Sequence, residues 1–202
     1  MRRVKLFTYA YPFNHMYDAF DHQRFDVVPC DIIRETPDLV LIPGGADVSP
    51  RLYGQKFGVH TNIDHGRDRF DIAIFNFCRN NRIPMLGICR GCQFLAVMAG
   101  AQLIQHINIE RHYSMPHDVM DVSTKEFFVT NSTHHQAVNG EYPGTLEITA
   151  LATSTGTVEA WKTTSATAFK AAAVQWHPEL MTEWLNNRGI EYFNDLAGWV
   201  LS

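Results

Sequence analysis

"IPMLGICRGCQFLAVMAG", Ile83 to Gly100, is the stretch that decides how the chain is read. It opens with a short apolar run of strand length and closes with a helix-like segment that Gly100 ends. Between them stands Gly87-Ile88-Cys89-Arg90-Gly91. Strand, sharp turn and helix in that order form the cysteine counterpart of the Gly-x-Ser-x-Gly elbow. A nucleophile on such a turn has a strained backbone and needs small neighbours, which Gly87 and Gly91 supply. The turn also puts Cys89 at the start of a helix, where unpaired N–H groups and the dipole favour a thiolate. The N–H of Arg90 is then placed to hold an oxyanion. On its own the pattern leaves three readings open: a nucleophile, half of a Cys89-x-x-Cys92 redox or metal pair, or a buried core thiol.

The surrounding chain supplies the frame. "VKLFT" (4–8), "DLVLIPGG" (38–45) and "IPMLGI" (83–88) read as buried strands. "DRFDIAIFNFCRNN" (68–81) reads as an amphipathic helix, with a stripe of Phe70, Ile74 and Phe77 widened by Ile72, Ala73 and Cys78. Strands separated by helices predict an α/β fold, a mostly parallel central sheet with helices on both faces. The second half is richer in strands: "HDVMDVS" (117–123), "EFFVT" (126–130), "TLEITAL" (145–151), "TVEAWK" (157–162) and "ATAFKAAAVQW" (166–176) predict additional antiparallel strands there. A terminal helix is expected from Met181 to about Trp199, broken near Asn187–Gly189. With no repeat, low-complexity tract or linker, residues 1–202 are read as one domain.

The totals exclude several classes. Of 202 residues, 46% are hydrophobic and 19% charged, the balance of an ordinary globular chain. Seventeen basic against 21 acidic side chains give a net charge of −4, with the basic ones scattered, so a nucleic-acid partner is not expected. No apolar run approaches the roughly 18 residues of a membrane span. "MRRVKLFTYAYPF" superficially resembles a signal peptide, but Lys5 interrupts its short apolar part, and we read it as the first strand. Four cysteines in this length do not make a disulfide scaffold, which predicts a reducing cytoplasm.

A cysteine nucleophile needs a base, and the base needs an orienting group. "AAAVQWHPEL" (171–180) offers both, an apolar strand followed by His177, Pro178 and Glu179. A histidine at a strand end can face a nucleophile at the end of a neighbouring parallel strand, where open α/β sheets place their sites. Proline fixes the backbone between the two, and Glu179 can hold the imidazole tautomer.

These residues resemble the class I (triad) glutamine amidotransferase superfamily, and within it the γ-glutamyl hydrolase branch that includes γ-glutamyl-GABA hydrolase. The resemblance spans nearly the whole chain in order. It runs through Pro43-Gly44-Gly45-Ala46-Asp47 with Pro50 and Tyr53, Arg67-Asp68, the elbow with Gln93, "NSTHHQAV" (131–138), "TGTVEAW" (155–161) and "QWHPE" (175–179). It implies a flavodoxin-like fold, Cys89 as nucleophile, His177 as general base and acid, and Glu179 as the orienting carboxylate. It further implies an oxyanion hole from the Gly44-Gly45 turn and the N–H of Arg90, with Gln93, Thr133, His135 and Gln136 contacting a small γ-glutamyl substrate. The implied chemistry is hydrolysis of a γ-glutamyl amide through a γ-glutamyl thioester, without a cofactor. The alternative is a glutaminase subunit that delivers ammonia to a separate synthetase partner; a non-catalytic binding or redox-sensing relative conflicts with a complete triad. The sequence departs from the family at "FLAVMAGAQLIQHI" (94–107), with His106 where an acid is common, and at Asp71 where Glu is frequent.

Competing readings fare less well. Cys89-x-x-Cys92 lacks the rest of a thioredoxin-like pattern and a second pair at zinc spacing. His134 and His135 are adjacent, point oppositely in an extended segment and make a poor chelate. His60, His65, His106, His112 and His117 show no helical i, i+4 pairing, so no metal is expected. Gly44-Gly45 belongs to no phosphate-loop pattern.

Overall fold

A computed structural model describes residues 2–9, 13–32, 34–107, 116–139, 144–181 and 188–202. In chain order the elements are β1 (Arg2–Phe7), α1 (Phe13–Asp18), β2 (Phe25–Pro29), β3 (Leu39–Ile42), α2 (His65–Asn81), β4 (Met85–Ile88) and α3 (Arg90–Met98). There follow β5 (Leu103–Ile104), β6 (His117–Asp121), β7 (Phe127–Thr130), β8 (Ala137–Val138), β9 (Leu146–Ala152), β10 (Val158–Thr163), β11 (Ala171–Val174) and α4 (Arg188–Leu201). Short 3-10 turns occupy Pro50–Tyr53 and Pro178–Leu180.

The main sheet has the order β2-β1-β3-β4-β11-β10-β9-β6-β7. Strands β2, β1, β3, β4 and β11 pair in parallel, and β10, β9, β6 and β7 continue the same sheet antiparallel. This is the expected α/β arrangement, with the antiparallel strands where the second half predicts them. A separate two-stranded ribbon joins β5 to β8.

The central strands are apolar throughout because both faces are covered. Leu39, Leu41, Leu86, Ile88, Ala172 and Val174 pack toward Phe193, Leu196 and Val200 of α4. Their alternates Val40, Ile42, Met85, Ala171 and Ala173 pack toward Phe75 of α2 and Phe94 and Leu95 of α3. The period of two therefore divides one apolar run between two cores.

Local details differ from the sequence reading in instructive ways. Helix α2 starts at His65, where the Asp64 side chain caps the N–H groups of Gly66 and Arg67 at 2.8 and 3.1 Å. Its buried stripe is Asp68, Asp71, Ile74, Phe75 and Cys78, while Phe70 is 44% exposed. A periodicity count passes over Asp68 and Asp71 as polar, yet both face inward because buried cations receive them. Of "ATAFKAAAVQW" only residues 171–174 are strand, since residues 164–170 form the turn from β10. Within the expected terminal helix, α4 begins at Arg188 and residues 182–187 lie outside the described residues. Neither α1 nor β2 was anticipated.

Candidate active site

Cys89 stands alone between the end of β4 and the first residue of α3, with φ 51° and ψ −106°. Such a backbone costs on the order of 1–3 kcal/mol in a non-glycine residue and persists only where its surroundings impose it. Here they do. The Cys89 N–H donates to the carbonyl of Val174 on β11 at 2.9 Å, and its own carbonyl accepts from Gln93 in α3 at 3.2 Å. The elbow glycines are sterically required: a Cβ on Gly91 would lie 1.9 Å from the Ile42 carbonyl oxygen, and one on Gly87 2.6 Å from the Gly91 carbonyl. The first turn of α3 rests directly on β3 and β4.

Two residues past the end of β11, the chain turns at Trp176-His177-Pro178. Glu179 Oε1 lies 2.7 Å from His177 Nδ1, and its side chain is almost entirely buried. A carboxylate there fixes the proton on Nδ1 and leaves Nε2 for the thiol, and His177 does hydrogen-bond to Cys89. Burial opposes a charge on the imidazole, but the Cys89 sulfur and the Glu179 carboxylate outweigh it and push its pKa up to about 10. Asn131 holds the same histidine from behind: its Oδ1 accepts from the His177 N–H at 2.8 Å, and its Nδ2 donates to the His177 carbonyl at 2.7 Å. Sequence reasoning missed Asn131, which stands 46 residues upstream with no local signal beyond its place in "NSTHHQAV".

The Gly44-Gly45 turn after β3 borders both groups. A Cβ on Gly44 would sit 2.8 Å from His177 Cε1 and 3.8 Å from Cys89 Cβ. Arg67 pins this turn by donating to the Pro43 carbonyl at 2.8 Å and the Gly44 carbonyl at 2.9 Å. In a trans peptide the N–H points opposite its carbonyl, so the Gly45 N–H is directed away from Arg67. The clamp is itself braced, because Arg67 Nε reaches Asp71 Oδ1 at 2.9 Å and its guanidinium lies over the Tyr9 ring. Tyr9 donates to Asp71 at 2.5 Å, a contact that together with burial raises the phenol pKa. Asp71 also pairs with Arg90 Nη1, and Asp68 with Arg90 Nη2 at 2.7 Å. The Arg90 side chain, 1% exposed, is thus a buried post for the first turn of α3, a role its sequence position did not disclose.

The segment 132–136 leads from the His177 side toward the Gly44-Gly45 side. His134 Nδ1 donates to the Gln136 carbonyl at 2.9 Å, and Gln93 Nε2 donates to the same oxygen at 3.0 Å. Gln93 is buried and also reaches Gln175 Oε1 at 3.2 Å, so its amide braces this segment. His135 turns the other way and meets Asp47 Oδ1 at 3.0 Å, while Thr133 is exposed. The Gln136 side chain is buried, with Nε2 on the Gln105 carbonyl at 3.3 Å. Of the four expected substrate contacts, Thr133 and His135 reach the surface, and Gln93 and Gln136 lie beneath it.

Cys92 belongs to the core on the α2–α3 side, whereas Cys89 belongs to that on the α4 side. Trp161 Nε1 donates to Cys92 Sγ at 3.1 Å, and full burial pushes the thiol well above its ordinary pKa. The buried-core reading of Cys92 fits this environment. His106 Nδ1 lies 3.4 Å from His135 Nδ1 and stacks on His60, whereas His112 lies outside the described residues. Among the described residues no group of three or more His, Cys, Asp or Glu side chains is arranged to hold a metal ion. A separate cleft of about 400 Å³ between α4 and β9–β10 shares no residue with this set.

Residues 30–179 match the Peptidase C26 family. The glutamine amidotransferase-like protein YvdE of Lactococcus lactis is 33% identical over 72% of this chain and 67% of its own length. The γ-glutamyl-γ-aminobutyrate hydrolase PuuD of Escherichia coli is 32% identical over 70% of this chain and 64% of its own. The chain thus spans about two thirds of the length of these relatives. A Thermoplasma acidophilum protein assigned as one component of a GMP synthase shares the fold, with a TM-score of 0.66 at 19% identity over 98% of this chain and 95% of that one. A glutamine amidotransferase of Thermotoga maritima does so with a TM-score of 0.58 at 17% identity, over 96% and 83%. By its sequence and its fold the chain belongs to the Peptidase C26 family of glutamine amidotransferase-like proteins.

Proposed function

We propose that the chain is a cysteine-dependent hydrolase that cleaves a γ-glutamyl amide, releasing glutamate and an amine or ammonia. The observation that carries this reading is the strained Cys89 hydrogen-bonded to His177, which is in turn oriented by Glu179. The similarity to a γ-glutamyl-γ-aminobutyrate hydrolase supports the choice of bond.

In this reading the Cys89 thiolate, paired with the His177 imidazolium, attacks the γ-carbonyl carbon. The carbonyl π electrons move to oxygen, and the oxyanion is received by the N–H groups of Arg90 and Gly45. Collapse of the tetrahedral intermediate breaks the C–N bond, and His177 Nε2 gives its proton to the departing amine. Water then enters, His177 removes its proton, and hydroxide attack on the thioester releases glutamate and returns the thiolate. Loss of one oxyanion donor typically costs about 2.7–4 kcal/mol in the barrier. Thr133 and His135, at the surface end of the 132–136 segment, are proposed to meet the α-amino and carboxylate groups. The four free cysteines support a reducing, cytoplasmic setting, and no helix among the described residues is long and apolar enough to cross a membrane.

Incubation of the pure protein with glutamine and a panel of γ-glutamyl amines, with Cys89→Ala alongside, tests the proposal. Release of glutamate from γ-glutamyl amines by the wild type alone supports it. Silence on every substrate until a synthetase is added would replace it with the glutaminase-subunit reading.

A further inference from the structure

We propose that Asn131 is a positioning residue that sets the direction of the His177 side chain and couples it to the segment expected to hold the substrate. The proposal rests on the reading of His177 as the base. The need for such a residue arises from the ladder. Pairing of β11 with β4 and β10 ends at Val174, so His177, three residues on, has no strand to hold its peptide groups. Its backbone, at φ −108° and ψ 87°, is not helical either. Asn131 supplies what a strand would: one planar carboxamide accepts from the His177 N–H at 2.8 Å and donates to its carbonyl at 2.7 Å. Two bonds from one rigid group fix the rotation of the residue about the chain axis and with it the direction of its Cα–Cβ bond. Glu179 then fixes the ring from Nδ1. The Leu180 N–H adds a bond of 3.1 Å to the same carbonyl, but it closes the local 3-10 turn and cannot set the orientation of the N–H side.

Few side chains can do this. Asp keeps the acceptor and loses the donor, Leu keeps the shape and loses both, and Ser lacks the two-point reach. Asn131 is itself anchored, since it leaves β7 between Thr130 and Ser132, both buried. Two and four residues after it come Thr133 and His135, and the Gln136 carbonyl is held twice by His134 and Gln93. A displacement of this segment when it engages a ligand therefore reaches the backbone of the base through one side chain.

The test compares Asn131→Leu and Asn131→Asp with the wild type in kcat, KM and Tm. It adds the NMR titration of the His177 imidazole, assigned by the signal that His177→Asn removes. A misplacement near 1 Å costs up to about 10²-fold, so Asn131→Leu is expected to lower kcat by about that factor while KM stays within roughly threefold. Asn131→Asp is expected to fall between the two, and it remains informative if the leucine variant does not fold. The His177 titration is expected to drop from about 10 toward its ordinary 6.5 in Asn131→Leu, as the ring loses its alignment with Cys89 and Glu179. It is expected to drop less in Asn131→Asp, whose added carboxylate favours the imidazolium. A lowered Tm with unchanged kcat and unchanged titration would overturn the proposal, as would a rise in KM alone, which would make Asn131 a substrate contact. If the wild type cleaves no γ-glutamyl amide yet the titration still drops in the variants, the activity reading fails and the positioning role stands.

Discussion

Gly44→Ala is the most selective probe of the arrangement around Cys89. Gly44 does not have a positive φ, so its backbone accommodates alanine without strain. The added methyl meets one obstacle, His177 Cε1, at 2.8 Å, about 0.6 Å short of the 3.4 Å at which ordinary contact begins. Pro43 and Gly44 are held by Arg67 through their carbonyls, so the turn is less free to retreat than the ring. The imidazole therefore yields by a few tenths of an ångström, out of the position in which Glu179 holds it. Local overpacking of this kind costs about 1–3 kcal/mol, which in a chain of this size lowers Tm by roughly 2–12 °C. The effect on turnover is larger in proportion, because reacting groups misplaced by up to 1 Å lose up to about 10²-fold. We expect kcat on a γ-glutamyl amide to fall between about 10-fold and 10²-fold with KM little changed. A folded Gly44→Ala protein with kcat within twofold of wild type would mean that the base lies elsewhere than at His177.

Other perturbations separate the supporting parts. Arg90→Met leaves Asp68 and Asp71 buried without their shared cation, and breaking a buried pair costs about 3–5 kcal/mol, so thermal unfolding should shift down by roughly 6–20 °C. The His177 pKa is raised from 6.5 to about 10 in the folded state. Between those values the folded chain holds a proton that the unfolded chain has lost, so this contribution to stability is complete below pH 6.5 and disappears as pH rises through about 10. Urea unfolding across that window should show the decline, and Cys89→Ala, which removes the chief group raising the pKa, should flatten it. Mild peroxide followed by peptide mapping is expected to yield no Cys89–Cys92 disulfide, because the two thiols face cores on opposite sides of the sheet. Its appearance in folded protein would restore the redox reading.

The legibility of the chain followed the range of each interaction. Buried strands such as "LVLI" and the elbow announce themselves locally, in an apolar run or in two glycines flanking a cysteine, and both stand where the sequence reading put them. The edge strand β2 escaped because it is half-exposed, lacks a continuous apolar run and ends in Pro29. The inner face of α2 was misjudged because Asp68 and Asp71 look like solvent residues until Arg90, 22 and 19 positions later, folds between them. Asn131 is the clearest case: its carboxamide meets His177 across 46 residues of chain, and nothing near either residue predicts the pairing. Covalent neighbours reveal which residues carry chemistry, whereas the residues that aim them emerge only from the fold.

The proposed hydrolysis stands on attack of Cys89 on a γ-glutamyl carbonyl. Treatment with a glutamine analogue bearing an electrophile at the γ position, followed by intact-mass measurement and peptide mapping, tests it most directly. One label per chain is expected, on Cys89, formed together with loss of γ-glutamyl hydrolysis and slowed by glutamine or a γ-glutamyl amine. Labelling of Cys30, Cys78 or Cys92 instead, or hydrolysis that continues in Cys89→Ala, would contradict it.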